Sequence, residues 1–307
     1  MRMRSKLIAS SILLLGLLCS FVCSATLLAD IQQLSDADMQ GRKTGTAGAA
    51  LARQLIAERF ALLQLDSIHN GYQQPFVYSS WPEKTGINML ASRQGCTYPN
   101  HYIVVTAHYD HLGQHGRKVF HGADDNASGV AAMLELAARL KHSCPVYSYI
   151  FLATDAEETG LYGSKAFIAA PPVPLNSIVM NLNLDMISQP DRRGKLYLTG
   201  ARRYPALVSQ LDTNFSHLQF LHHRGPGRMA RDNSRYNWPN ASDHGPFHRA
   251  GIPYLFFGGQ EHAYYHTVQD TWQRIEPAFL DMAMQAIWQT VQWLEQQPPQ
   301  TLRPYEQ

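Results

Sequence analysis

Five places along this chain carry side chains whose types and order suit metal-assisted hydrolysis. They are His108 in "TAHYDHLG", the acid pair Asp124–Asp125 in "GADDNASG", the pair Glu157–Glu158 in "TDAEETGLYGS", Asp185 in "NLNLDMIS" and His266 in "YYHTVQDT". Two imidazoles and three carboxylates are the donors a pair of zinc ions takes, and one spare carboxylate beside them suits a general base. Two adjacent Asp residues among glycines concentrate negative charge that a cation would neutralise. A solvated turn in which Asp125 or Asn126 caps the next helix is the other reading, and it leaves one of the two acids without a role. Adjacent residues at a strand end point in different directions. One Glu of the 157–158 pair can therefore bind metal while the other faces a water; an ordinary acidic turn is the alternative. Asp185 closes an apolar run, where a carboxylate needs a partner. Asp110 follows His108 by two residues on the same side of a strand end, placed to accept the second imidazole proton and fix the tautomer. Tyr265, directly before His266, is placed to donate to the oxyanion of a tetrahedral intermediate, or else simply packs.

The elements that must hold these groups are legible from periodicity. Ala52, Leu55, Ile56 and Leu63 share a helical face, fed by the loop "GRKTGTAG". "INMLAS", "YIVVTAHYD", "YSYIFLATD", "SIVMNLNLD" and "IPYLFF" are apolar runs of strand length. Val130, Met133, Leu134 and Ala137 predict an amphipathic helix over about 128–141. Pro277 opens a closing helix carried by Leu280, Met284, Ile287, Val291 and Leu294. Buried strands alternating with such helices predict a single α/β domain over 26–296, a mostly parallel, mixed central sheet with helices on both faces. In sheets of this kind sites form at the carboxyl ends of the strands. His108, Glu157, Glu158 and Asp185 all fall there. The stretch from about 196 to 250, rich in Arg, His, Asn, Pro and Gly, reads as long loops over the site that shape substrate choice. The Pro-rich segment 297–307 reads as a loose tail.

The first 25 residues read as a secretory signal peptide, with Arg2, Arg4 and Lys6 before the uncharged apolar run from Leu7 to Val22 and small residues after it. An uncleaved anchor is the lesser reading, so a secreted or periplasmic protein without stable membrane insertion is expected. The leader holds three of the 26 basic residues and no acid, leaving 23 Lys+Arg against 24 Asp+Glu, a formal charge of −1. Nothing in that balance suggests a nucleic-acid partner. Cys96 and Cys144 remain of four cysteines. In an oxidising compartment an even pair suggests a disulfide, each lying a few residues before a predicted strand; two separate buried thiols are the alternative.

Taken together, "AHYDH", "GADDNASGVAAMLELA", "EETGLYGSKAF", "NLDMI", "SDHGPF" and "YHTVQDT" resemble the co-catalytic di-zinc exopeptidases of metallopeptidase family twenty-eight, which include secreted bacterial leucyl-type aminopeptidases. The resemblance spans nearly all of the mature chain. It implies a zinc-exopeptidase fold and an aminopeptidase acting on peptides, with Glu157 as general base toward a metal-activated water. It also implies two zinc ions, replaceable by cobalt or manganese, one held by His108 and Glu158 and the other by Asp185 and His266. Asp125 is then the bridge, followed by a cis peptide bond to Asn126. Ser242, Asp243 and His244 match a segment near the substrate pocket. A carboxypeptidase on the same core, using Arg228, Arg231 and Arg235, a glutaminyl cyclase with one zinc, and a non-catalytic relative are the competing readings. Substrate preference and oligomeric state do not transfer.

Overall fold

The computed structural model describes residues 26–221 and 238–304. The leader, the three arginines at 228, 231 and 235, and the last three residues lie outside the described residues. A helix over 26–34 (α1) and helix α2 (Ala47–Leu62) lead into strands β1 (Asp66–Ser67), β2 (Gln73–Ser80), β3 (Glu83–Arg93) and β4 (Tyr98–His108). Thr46 starts α2 by accepting the Ala49 amide at its hydroxyl. A small hairpin, β5 (Gln114–His115) with β6 (Lys118–Val119), precedes α3 (Gly129–Leu140). Then come β7 (Tyr147–Thr154), α4 (Tyr162–Ala169), β8 (Ile178–Asp185), β9 (Leu196–Thr199), α5 (Pro205–Asn214) and β10 (Leu218–Leu221). The chain closes with α6 (His244–Arg249), β11 (Tyr254–Gly258), α7 (Pro277–Leu294) and α8 (Pro299–Leu302).

Nine strands form one mixed sheet in the order β1-β3-β7-β4-β8-β11-β9-β10, with β2 on β3. The four middle strands run parallel, and antiparallel pairs flank them: β3 against β7 on one side, β9 against β11 on the other. Every residue of β7 is buried, as expected of a central strand covered on both faces. The larger core joins α1, α2, α3, α5 and α7 to one face of the sheet, and a smaller one packs Phe167 of α4 and Phe247 of α6 on the other. Cys96 and Cys144 are bonded, with Cα atoms 5.7 Å apart. Among the described residues no helix is long and apolar enough to cross a membrane.

Two expectations are corrected. The stretch after residue 196 is not all loop: β9, α5 and β10 fill 196–221, because Leu196, Leu198, Leu207, Leu211 and Leu218 are spaced to bury against the sheet edge and α7. Its polar average composition hid that spacing. The C-terminal segment is not loose either. α8 buries Leu302, Tyr204 donates its hydroxyl to the Leu302 carbonyl at 2.6 Å, and Arg303 donates to the carbonyls of Leu175 and Ile178.

Candidate active site

The parallel strands deliver the predicted groups to one cleft. His108 ends β4 and Asp185 ends β8, strands paired in register through Thr106 and Asn183, so the two side chains emerge level with each other. Their facing atoms, His108 Nε2 and Asp185 Oδ1, lie 3.3 Å apart. Glu158 sits in the turn after β7, and His266 comes from the loop between β11 and α7; His266 Nε2 is 3.2 Å from Glu158 Oε2. Asp125 stands between the two sets. Its Oδ1 faces His108 Nε2 at 3.3 Å and its Oδ2 faces His266 Nε2 at 3.1 Å. The pairing therefore differs from the one the resemblance implies: His108 goes with Asp185, and Glu158 with His266. β4 neighbours both β7 and β8, so register decides it: Asp185 ends β8 level with His108, while Glu158 lies beyond the end of β7 at Thr154, in the turn that follows.

These separations suit metal ions. Donors on one tetrahedral zinc, each about 2.0–2.1 Å from it, stand about 3.3 Å from each other. The electrostatics point the same way. Burial opposes a charge on Asp125, yet the imidazoles of His108, His111 and His266 hold its carboxyl well below the usual range. Burial likewise opposes a charged His266, but the carboxylates of Asp125 and Glu158 push it up to about 10. The carboxylates around His266 thus favour a positive charge there, and metal binding would take the place of its proton. The donor set fits zinc, with His266 Nε2 buried and aimed at two carboxylates without a well-directed hydrogen bond.

Glu157 lies in the same cleft, grouped with His108 and Asp185. Burial, with Asp185, Asp243 and Glu158 nearby, pushes its carboxyl well above the usual range, against the pull of His108. Tyr265 stacks on His266 with ring centroids 3.8 Å apart and also lines the cleft. Burial and then the Asp125 and Glu158 carboxylates raise its hydroxyl far above its ordinary pKa, so it stays a donor. Asp110 does a different job from the one expected. His108 Nδ1 faces the Asp110 backbone carbonyl at 3.2 Å, while the carboxylate is 3.9 Å away. That carboxylate instead accepts the amides of Glu157 at 3.0 Å and Glu158 at 3.4 Å, clamping the turn that carries both. Asp243 and His244 do not line the cleft. Both are fully buried, Asp243 taking a hydrogen bond from Thr154 Oγ1 and His244 donating to the Trp238 carbonyl at 2.6 Å. Burial lowers His244 to about 3, so it is a neutral packing ring stacked on Phe256.

Several residues support the site in ways the sequence did not show, and Asp270 and Arg42 were not singled out in it at all. Asp270 accepts the amides of Asp124 and Asp125 at 3.0 and 3.1 Å. Asp124, the acid a cap left unexplained, accepts from the Ser188 amide and hydroxyl after β8. Ser242 donates to Asp185 Oδ2 at 2.7 Å. Arg42, fully buried, donates to the carbonyls of Leu34, Tyr109, His121 and Gly122. Asp270 and Ser242 lie inside matched motifs, which was the available signal; Arg42 had none beyond its glycine-rich setting. The Asp125–Asn126 peptide bond is cis. Ala156 beside Glu157, Met186 beside Asp185, and His266 itself have φ of 57°, 58° and 55°. Non-glycine residues hold that left-handed conformation where surrounding structure imposes it, often at functional sites.

With this geometry in hand, a family model described as peptidase family M28 matches residues 88–291, more than half of the chain. The chain belongs to peptidase family M28. Among curated relatives, the M28 chain is 27% identical over 235 residues to the alkaline phosphatase isozyme conversion protein of Escherichia coli strain K12, covering 70% of this chain and 66% of that one. It is 29% identical over 213 residues to aminopeptidase YwaD of Bacillus subtilis strain 168, covering 66% of this chain and 43% of that one. The chain thus spans less than two thirds of the length of both proteins. It is also 26% identical over 277 residues to glutaminyl-peptide cyclotransferase of Bos taurus, covering 78% and 74%. Of solved structures, a zinc aminopeptidase from Bacillus subtilis superposes with a TM-score of 0.69 at 18% identity, covering 87% of this chain and 95% of that one. That likeness establishes the zinc-exopeptidase type of fold.

Proposed function

We propose that this M28 chain is a secreted, two-zinc aminopeptidase that hydrolyses the N-terminal peptide bond of peptides. The observation that carries the reading is the division of Asp125, one oxygen toward His108 and Asp185 and the other toward His266 and Glu158. One carboxylate shared by two donor sets is the arrangement of a two-ion centre. Zinc in the two sets would supply Lewis-acid polarisation of the peptide carbonyl and a water acidic enough to ionise near neutral pH. Glu157, in the cleft but outside the five ligands, takes the proton of the attacking water and delivers it to the leaving amine. The Tyr265 hydroxyl donates to the oxyanion.

The cleft, of about 400 Å³, favours an amino terminus over a carboxylate. Glu261 adds an acid to its lining, and none of the lining residues is Lys or Arg among the described residues. Met186, Trp238 and Phe256 form an apolar wall suited to an uncharged side chain. Secretion is supported by the leader sequence and by the Cys96–Cys144 bond, which persists in oxidising compartments. The test uses purified protein loaded with zinc and three substrates: amino-acid anilides, their N-acetylated forms and a peptide beginning with Gln. Cleavage of the free-amine anilides only, abolished by chelation and restored by zinc, is expected. Cleavage from the carboxyl end, or cyclisation of the Gln peptide without hydrolysis, overturns the proposal.

A further inference from the structure

We propose that His111 is a positioning residue of the metal centre: it ties down one oxygen of Glu158 so that only the other is presented to metal. The inference rests on the two-ion reading above. His111 follows β4 by three residues, in the loop that also carries Asp110, and is 1% exposed. Its Nδ1 lies 2.7 Å from Glu158 Oε1. Glu158 Oε2, the other oxygen, is the one facing His266 Nε2 at 3.2 Å. The two oxygens are therefore divided between two imidazoles.

Distance separates holding from ligation. Two donors on one tetrahedral zinc stand about 3.3 Å apart. The pairs built by His108 and His266 with the carboxylates measure 3.1 to 3.3 Å. The His111–Glu158 pair at 2.7 Å is too close for that and has the length of a charge-assisted hydrogen bond. His111 Nδ1 is also 3.7 Å from Asp125 Oδ2, beyond hydrogen-bond reach. The ring cannot easily turn away. It stands edge-on to His266 with centroids 5.7 Å apart, and a side chain at Gly122 would fall 2.6 Å from His111 Cδ2. Gly122 has φ +59°, so glycine at this position keeps both the turn and the space for the ring. Nε2 is buried and has no hydrogen-bond partner, which leaves Nδ1 as the ring nitrogen with a polar task.

A donor behind a ligand fixes its orientation, and its loss typically lowers metal affinity about 10- to 100-fold. The experiment titrates metal-free full-length protein with Co²⁺, followed by visible absorption, and measures Zn²⁺ affinity by competition with a chelating dye. Variants His111→Ala and His111→Asn are compared with the parent, and thermal unfolding of the metal-free proteins checks folding. An asparagine amide nitrogen falls near the place of imidazole Nδ1. The expected result is two ions bound by all three proteins, with one affinity about 10- to 100-fold weaker in His111→Ala, restored largely in His111→Asn, and the other affinity unchanged. Unaltered affinities in His111→Ala overturn the inference while leaving the two-ion centre standing. Loss of one ion from both variants, with a changed cobalt spectrum, also overturns it, by making His111 a ligand. A parent protein that binds a single ion instead defeats the two-ion reading on which it rests.

Discussion

At the scale of the residue, the chemistry depends on two neighbours that the chain treats differently. Glu158 faces imidazoles on both sides, His111 at Oε1 and His266 at Oε2, which hold its carboxyl below the usual range against the effects of burial and Asp125. Glu157 has only the pull of His108 on its side, and burial with the neighbouring carboxylates raises it above the usual range. One is thereby suited to bind a cation and the other to carry a proton. Replacement Glu157→Gln keeps the shape and removes the base, so turnover should fall about 10²- to 10⁴-fold while metal content stays at the parent level. Atomic absorption alongside the anilide assay checks both halves, and full residual activity would remove Glu157 from the mechanism. At this scale the sequence was largely readable. Residue type and order singled out His108, Glu157, Glu158, Asp185 and His266, the first four also by strand-end position, and the structure brings these candidates together. The job of the Asp110 carboxylate was not readable, because whether a backbone carbonyl or a carboxylate meets His108 Nδ1 depends on how the loop turns after β4.

At the scale of the element, turns and loops carry Asp125, Glu158 and His266, strand ends carry His108 and Asp185, and buried polar groups lock the turns and loops. Asp270 grips the amides of the Asp124–Asp125 turn from the far side, and Asp124 in turn holds the segment after β8 through Ser188. From Asn181 through Thr106, Asn183 and Ser242, hydrogen bonds run along β8 to the Asp185 carboxylate. Arg42 anchors the loops around Tyr109 and Gly122, close to His108 and Asp125, and burial lowers its pKa to about 10 without neutralising it. Arg42→Met would take the guanidinium donors from four carbonyls, of which Gly122 keeps the Ala127 amide. It should destabilise the fold by about 3 kcal/mol or more and weaken metal binding at the same time, read from the urea midpoint and a zinc competition titration. A stability change within 0.5 kcal/mol, the range usual for a surface substitution, would show that water satisfies those carbonyls. Sequence reading located α2, α3, α7 and the central strands because each has a long apolar period. It missed β9, α5 and β10, which are too short to stand out against a polar background.

At the scale of the whole molecule, a parallel four-strand centre brings residues 108, 158 and 185 to one end of the sheet, and antiparallel strands flank it on both sides. The Cys96–Cys144 bond joins the entries of β4 and β7 across a sequence separation of 48, at the end of the sheet away from the cleft. Removing it through Cys96→Ala with Cys144→Ala should lower stability by about 2–4 kcal/mol, mainly by freeing the unfolded chain. Because the bond is remote from the site, kcat/KM at temperatures below unfolding should be unchanged. A denaturant series with the anilide assay separates the two effects, and equal loss of activity in the folded state would contradict that separation. The sequence by itself named the candidate groups, since residue type, order and periodicity are local properties: metal-binding side chains at five places with a spare acid beside them, and an α/β sheet that puts His108, Asp185 and the Glu157–Glu158 pair at or just past strand ends. Only the tertiary structure decided which candidate donors stand together, that the two oxygens of Asp125 face the two sets, and that His111 stands against Glu158. Those are distances between atoms far apart in the chain, set by strand order and loop packing, which no local pattern encodes.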